Sequence, residues 1–502
     1  ADLAVNGNNR WAVDGGSISI RAGGNIASPS NARDLWITEW LRRDRLAPST
    51  FNTSGNPTDW WSYRPRFQQA VGTLAGGDID IRAGGSLKEF SAMLPSTGRT
   101  WFDANGVRQV DVTGGGNLSV TAGGDVVGGS FLIGRGSGRI EAAGSIGRDE
   151  ATQLYLMGVS SGKVPEAAQI DLVAGGSLAL GSVTNPTMLA LIPSNGVAGP
   201  SFDPTLATTT NTIAPTRFFT YAGNSAAGLL AKAGDVSVEG VIADTVNYPS
   251  RWRGYFANAP TLGLTVLGSN TAFPARLSLL ALDGDVTGPQ AQSRIVTYPS
   301  RAASVSVLAG GSITDLSLQV SDLDPLALTT PFNRFDEARP VGPNATVSSG
   351  SVASSQDLRN FGKARIVERD TSLPYGLVQR DETLPDYRFD FQALGGSIAT
   401  VATGGTSSTL FLPALSRVQA GLDIVDYQFN LQNLNPFDVS LLPADAGDLR
   451  YSGTSSRRLV IGGPGRLVIQ TGRNIDLGTV PVQAVGNDLN PSLGEQSARL
   501  TL

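Results

Sequence analysis

A short glycine-flanked strand motif recurs along the chain and limits the folds open to it more than any other feature. The segment "GGSISIRAGGNI" at 15–26 returns as "GGDIDIRAGGSL" at 76–87 and as "GGGNLSVTAGGDV" at 114–126. Each copy alternates apolar and polar residues, which is typical of a β-strand with one buried face. A unit this short cannot bury its apolar face alone, so the repetition predicts an array of stacked copies.

A polar corner residue marks each repeat, and Ile, Leu or Val follows every one of them. The last four corners lie 26, 25 and 26 residues apart, an interval typical of one solenoid coil. The polar corners are Asn25, Ser86, Asp125, Ser145, Ser177, Asp235, Asp285, Ser312, Ser397, Asp423, Asp448 and Asn474. The glycines that we assign to the same corners are Gly24, Gly85, Gly124, Gly176, Gly234, Gly284, Gly311 and Gly396.

These corners carry a structural expectation. We expect each glycine to supply a positive φ and each Asn, Asp or Ser to hydrogen-bond its own turn backbone. Coils of this kind stack into an all-β fold, a right-handed parallel β-helix (β-solenoid) with irregular loop and short helical insertions. The corner residues are therefore predicted to build the fold and to bind nothing.

The spacing of the corners also predicts the domain organisation. The chain forms one continuous β-solenoid segment over 1–502, with its most regular coils at 391–502. Longer intervals indicate insertions at about 27–75, 183–230, 245–275 and 316–390. Both ends interrupt a coil, since "ADLAVNG" resembles its strand half and "SARLTL" stops before a corner. We expect the chain to be a segment of a longer β-helix or to be capped by another chain.

Composition narrows the chemistry. The 502 residues include no Cys and no His, which excludes disulfides, thiolate chemistry, the Ser–His dyad and the commonest zinc ligand. The net charge is only −5 and no polybasic run exists, so nucleic acid is not an expected partner. No stretch of 18 apolar residues occurs, so we expect no membrane span. We expect neither a metal ion nor another cofactor.

Aromatic residues cluster in the first insertion. "SNARDLWITEWLRRDRL" predicts the best helix of the chain, with Asn31 as the N-cap and Leu35, Trp36, Trp40 and Leu41 at helical spacing. Aromatic side chains beside Arg are typical of sugar or protein recognition. The alternative is that they pack the insertion onto the solenoid. The candidate partner contacts are Trp36, Trp40, Trp60, Trp61, Tyr63, Arg64, Trp252, Tyr248 and Tyr298; Trp101 marks a similar loop.

Two of these tyrosines belong to an internal duplication. Residues 233–252 align without a gap on 283–302, and the sequence Tyr-Pro-Ser-Arg occurs at 248–251 and again at 298–301. The pair is open to two interpretations, a carbohydrate contact or a structural corner copied by duplication.

The insertion at 316–390 is acidic and broken by prolines. The pairs Asp322/Asp324, Asp336/Glu337 and Asp386/Asp390 have the composition of a carboxylate dyad or a calcium site. The alternative is a set of solvated or salt-bridged loop residues, and no ordered calcium-loop spacing is present.

Four stretches resemble a known group of proteins. The A-G-G-[DNS]-[IVL] corners, "QAGLDIVDYQFNLQN" (419–433), "LLPADAGDLRY" (441–451), "QTGRNIDLG" (470–478) and "GNDLNPSLGEQSARLTL" (486–502) are similar to filamentous haemagglutinin-like exoproteins of the two-partner secretion route. The resemblance implies a secreted β-helix that an outer-membrane β-barrel transporter exports. It also implies work as an adhesin, a biofilm or filament component, or a toxin-delivery stalk.

We therefore expect a secreted or cell-surface structural and adhesive protein, not an enzyme. Its expected location is extracellular or on the outer surface of a bacterium. Expected partners are the transporter, surface ligands on host, bacterium or matrix, and other copies of the chain in a filament. The alternatives are a β-helical polysaccharide lyase or hydrolase, which would use carboxylates, and a phage or virus fibre.

Overall fold

The computed structural model describes most of the repeats and parts of the insertions. The described residues are 13–28, 37–45, 58–64, 67, 70–159, 166–188, 216–239, 272–289, 295–321, 331, 335–336, 387–401, 407–452, 457–489, 493 and 496–502. Strands dominate them. The helical elements among them are the four-residue helix Ile37–Trp40 and the 3-10 turns Pro186–Met188 and Gly486–Leu489.

The alternating motifs form the first face of a parallel β-helix, a sheet of 13 strands. Each strand pairs in parallel with the equivalent strand of the neighbouring coil, so identical motif positions lie side by side. The strands are Ile18–Ala22, Ile79–Ala83, Leu118–Ala122, Gly136–Ala142, Ala168–Ala174, Ala226–Ala231, Arg276–Ala281, Ser304–Ala309, Phe389–Ala393, Ser416–Ala420, Val439–Ala444, Arg466–Thr471 and Arg499–Thr501.

The second face consists of short strands that begin directly after the corners. The aliphatic residue that follows each corner pairs with its counterpart in the neighbouring coil, from Ile26 to Ile475. Ile146 takes part through single bridges to Val126 and Leu178. The strands are Ile26–Ala27, Leu87–Lys88, Val126–Val127, Leu178–Thr184, Val236–Val238, Val286–Thr287, Ile313–Thr314, Ile398–Ala399, Ile424–Val425, Leu449–Arg450 and Ile475–Asp476.

A third face closes the triangular cross-section. Leu178–Thr184 joins it to the second face, because this strand pairs with Val236–Val238 near its start and with Thr152–Leu156 near its end. The strands of the third face are Val71–Gly72, Ala92–Leu94, Ser130–Ile133, Thr152–Leu156, Ala272–Phe273, Ile295–Thr297, Leu318–Val320, Thr409–Leu412, Gln428–Gln432, Leu459–Gly462 and Val482–Ala484.

Apolar side chains from the three faces meet in one long core. On the first face, the columns that contain Ile79 and Ile81 point inward. Burial of each such side chain contributes about 1.5–3 kcal/mol relative to exposure, so every added coil stabilises its neighbours. The last position of the strand is alanine in eleven consecutive coils, from Ala22 to Ala444, and the alanines pair in register.

Two antiparallel units depart from the solenoid. One is a sheet of four strands, Leu41–Arg45, Thr58–Ser62, Ser96–Phe102 and Arg108–Gly114. The other is the two-stranded pair of Thr216–Arg217 with Phe335–Asp336.

The helix predicted from Asn31 onward is wrong beyond Trp40. Leu41 begins a strand of the antiparallel sheet, where it pairs with Ser62. Asn31, Leu35 and Trp36 lie outside the described residues. Tertiary pairing with Thr58–Ser62 overrides the helical spacing, since the sheet supplies the backbone hydrogen bonds that a longer helix would supply.

Candidate interaction surfaces

The polar corners form a hydrogen-bonded ladder along the whole solenoid. The side-chain oxygen of each corner accepts the backbone N–H of the next corner, over 2.6–3.3 Å. The ladder runs without a gap from Asn25 to Asn474. The expectation that these side chains bond their own turn was wrong, because each of these oxygens accepts the backbone N–H of the following corner instead.

The corner glycines have a different role from the one expected. None of them lies at positive φ. Instead, a β-carbon at Gly311 would overlap Asp285 Oδ1, and one at Gly85 would overlap Asn25 Oδ1. At Gly24, in the first coil, no atom of the described residues lies within 4 Å of that position. Glycine is thus required because the ladder oxygen of the preceding coil occupies the space of a side chain.

The tryptophans of the first insertion are buried. Trp40, Trp60 and Trp61 are at most 2% exposed, so these three do not present a surface to a partner. Trp40 and Trp60 join Met93, Leu132 and other residues in a second apolar cluster on the outside of the third face. The packing alternative raised from the sequence is therefore the arrangement seen.

The neighbouring polar candidates differ in exposure. Tyr63 is half-buried and Arg64 is exposed. Trp36, Trp252 and Tyr248 lie outside the described residues.

The duplicated Tyr-Pro-Ser-Arg sequence is described only in its second copy. Tyr298 is 5% exposed and contacts the rings of Phe219 and Tyr221, with centroids 5.5 Å away in both cases. Ser300 Oγ donates to the carbonyl oxygen of Gly223 at 2.7 Å. This copy is a packed structural corner, and its tyrosine is closed to a partner.

An antiparallel hairpin presents an exposed aromatic side chain, although Phe437, in a turn elsewhere on the solenoid, is more exposed still. Its strands are Ser96–Phe102 and Arg108–Gly114. Trp101 is 39% exposed and Val107 is 53% exposed near the tip. Sequence reasoning marked Trp101 only as a loop residue. The signal that it missed is the alternation of "STGRTWF" and "RQVDVTG" around a glycine-containing turn.

The hairpin turn is held by Asp103. Its carboxylate accepts the backbone N–H groups of Asn105 at 2.9 Å and of Val107 at 2.8 Å. These hydrogen bonds, led by that of Val107, lower the pKa of Asp103. Gly106 completes the turn at φ 73°. The turn is therefore locally specified and keeps the hairpin tip in one conformation.

A groove adjoins the hairpin base, with a volume of about 540 Å³. Its floor is a glycine backbone that includes Gly76, Gly115 and Gly116, all at positive φ. The ion pair Arg135–Glu166, at 3.3 Å, lies at its wall. The backbone N–H groups of these three glycines all donate to carbonyl oxygens, so the floor is not an anion-binding nest.

The acidic pairs proposed from the sequence are brought together only in part. Asp390 lies on the outer side of the first face, where Arg417 forms two hydrogen bonds with its carboxylate at 2.8 and 2.6 Å. Arg417 also lies over the ring of Tyr387. Asp322, Asp324, Glu337 and Asp386 lie outside the described residues, as does the Asp336 side chain.

In the part of the chain that the structure describes, no group of three or more Asp or Glu side chains is arranged to hold a metal ion. No helix there has the length and apolarity needed to cross a membrane.

Comparison with known proteins finds no relative. No family model matches the chain, and no similar protein was found among curated proteins or solved structures. Functional inference therefore depends on the geometry of the chain itself.

Proposed function

We propose that this chain is a rod-like part of a secreted or cell-surface protein that mediates adhesion or contact with a matrix or another cell. The observation that carries the proposal is the unbroken corner ladder from Asn25 to Asn474. Its eleven steps of about 4.8 Å give a stiff rod of roughly 50 Å. A fold of this kind separates its two ends and presents side structures along its length.

The decorations supply the contacts in this proposal. The hairpin exposes Trp101 and Val107 to solvent, and exposed aromatic side chains are common binding anchors. The location that we propose is extracellular or the outer surface of a bacterium, with export through an outer-membrane β-barrel transporter. The chain contains no Cys, which suits a route that carries the polypeptide unfolded.

Surface retention tests the proposal. Beads coated with the purified chain are passed over bacterial cells, host cells and matrix polymers under flow, beside beads coated with albumin. We expect retention on at least one surface, and a clear reduction for the double variant Trp101→Ala, Val107→Ser. Retention equal to albumin on every surface would refute adhesion. Release of reducing ends from acidic polysaccharides would instead favour the enzymatic alternative.

A further inference from the structure

The hairpin strand Arg108–Gly114 has one unpaired side. It is the terminal strand of the antiparallel sheet and pairs only with Ser96–Phe102 within the part of the chain that the structure describes. In an antiparallel pair, residues alternate between those that bond the partner strand and those that point away from it. A strand edge with free N–H and C=O groups is a template for an added strand.

The register identifies which groups are free. Asp103 N–H bonds Val107 O at 3.0 Å and Gly115 N–H bonds Pro95 O at 2.9 Å, so odd-numbered residues face the partner strand. The backbone groups of Val110 and Val112 therefore point to the open side. The Gly114 carbonyl points there too, and it accepts from Arg135 Nε at 2.7 Å. The Arg135 guanidinium therefore occupies this end of the strand edge. The open part of the edge is the short stretch that contains the backbone groups of Val110 and Val112.

Side chains on the strand define what fits beside it. Val110 and Val112 pack against the buried cluster that contains Trp60, so an added strand would extend that cluster with apolar side chains. Asp111 lies on the opposite, exposed side and is the only acidic residue of the strand; Arg99 of the paired strand faces it on one flank, and an added strand would face it on the other. Opposite charges in directly facing positions stabilise a strand pair. The surface thus favours an apolar–basic–apolar triplet.

The same charge disfavours a second copy of the chain. Two hairpins paired symmetrically through this strand would be centred on Asp111 and would place the two carboxylates opposite each other. Like charges in that position are destabilising. The groove shares Thr113 and Gly114 with the strand, and Arg135 lines it as well.

We propose that the open edge of Arg108–Gly114 binds an extended peptide of a partner protein by strand addition, with a basic residue opposite Asp111. Backbone hydrogen bonds to Val110 and Val112 provide affinity, and the apolar and basic side chains provide selectivity. This proposal is independent of adhesion, because the open strand edge can bind a peptide whether or not the chain is retained on a cell.

Peptide binding tests the charge part of the proposal. The probe is an acetylated and amidated peptide with the sequence Ser-Val-Lys-Val-Ser flanked by threonines, beside the same peptide with Glu in place of Lys. Fluorescence anisotropy should show binding of the Lys peptide, tighter than that of the Glu peptide by about threefold to fivefold. Asp111→Lys should reverse this order. No binding of either peptide would overturn the proposal.

Amide hydrogen exchange tests the position. Addition of the Lys peptide should protect the N–H groups of Val110 and Val112 and leave those of Gln109 and Asp111 unchanged, because the latter already bond the partner strand. Val112→Pro removes one outward donor on an edge strand, where proline is tolerated, and should weaken binding by about tenfold or more. Unchanged exchange at Arg99 would show that the hairpin is intact in this variant.

Three results would overturn the proposal. Protection confined to other residues would place the peptide elsewhere. Protection of Val110 and Val112 that grows with protein concentration, together with dimers in sedimentation, would identify a second copy as the occupant. Protection in the free protein that disappears when residues 1–12 are removed would show that the chain fills its own edge.

Discussion

Asp285 lies in the middle of the corner ladder and tests what one rung contributes. Its Oδ1 accepts Ser312 N–H at 2.6 Å, and its own N–H donates to Asp235 Oδ1 at 2.8 Å. Asp285→Ala leaves the Ser312 N–H without its acceptor and should lower the free energy of unfolding by about 1 kcal/mol. Asp285→Asn keeps an acceptor and should remain close to wild type. Urea unfolding of both variants measures this, and equal losses would contradict the role of the acceptor.

Gly311 and Gly24 occupy equivalent corners in different surroundings. Gly311→Ala places a methyl group on Asp285 Oδ1, so we expect a loss of about 2 kcal/mol in unfolding free energy. Gly24→Ala places the new carbon more than 4 Å from every atom in the described part of the chain and should change stability by less than about 0.5 kcal/mol. Thermal unfolding of the two variants tests why glycine is needed at the corners. If the reason were a positive φ, both substitutions would lower stability; if it is crowding by the ladder oxygen, only Gly311→Ala should.

The sequence located these corner residues but not their roles. A glycine before a polar residue is compatible with left-handed backbone and with close approach, and residue identity does not separate the two. The distinction depends on which oxygen of the neighbouring coil lies beside the glycine. That atom belongs to Asp285, 26 residues from Gly311 and 27 from Ser312, so only the stacked structure reveals the contact.

Gly98 leaves the space that the tryptophan-rich insertion needs in order to pack on the antiparallel sheet. It faces Trp60 across two strands of the antiparallel sheet, and a β-carbon at Gly98 would overlap the indole ring. Gly98→Ala should displace Trp60 and destabilise the insertion by about 2 kcal/mol. Tryptophan emission should shift to the red at lower urea concentration than in the wild type, before the far-UV signal of the solenoid changes.

A second substitution provides the control for this prediction. Trp60→Leu combined with Gly98→Ala gives the new methyl group room, so it should cost less than the sum of the two single changes. Additive losses would show that Gly98 acts through something other than contact with Trp60.

The elements differ in how far the sequence predicts them. First-face strands alternate because one side is covered and the other is solvated, and they were foreseen. The third-face strand Thr152–Leu156 is buried at every position, so its sequence has no alternation to detect. The helix expected through Leu41 failed for another reason, since apolar spacing within one segment cannot report pairing with Thr58–Ser62.

For the whole molecule, the parallel β-helix was predicted and is confirmed. The reason is redundancy: twelve corners with the same order of residues all require the same stacking, so local ambiguity at one of them does not matter. The candidate contacts had no such support. Trp60 belongs to no repeated motif and the motif of Tyr298 occurs only twice, and the sequence does not distinguish an exposed aromatic side chain from a buried one.

Buried tyrosines should make the whole solenoid sensitive to alkaline pH. Burial raises the pKa of Tyr221, Tyr298, Tyr427 and Tyr451 above the usual value near 10. Above that pH the unfolded chain loses these protons while the folded chain keeps them, so stability falls as pH rises. Each tyrosine should remove about 1.4 kcal/mol of unfolding free energy by pH 11. Urea midpoints between pH 9 and 11 measure the loss.

Tyr451→Phe isolates one of these contributions. The Tyr451 hydroxyl is buried and has no hydrogen-bond partner among the described residues, so its removal should leave stability at pH 8 unchanged or raise it by about 1 kcal/mol. The loss of unfolding free energy between pH 9 and 11 should be smaller by the contribution of one tyrosine, because the variant has one fewer proton to release on unfolding. Tyrosinate absorbance followed beside far-UV circular dichroism should show ionisation of the buried groups together with loss of the strands. Ionisation of all ten tyrosines by pH 11 with the strands intact would contradict the burial of these four.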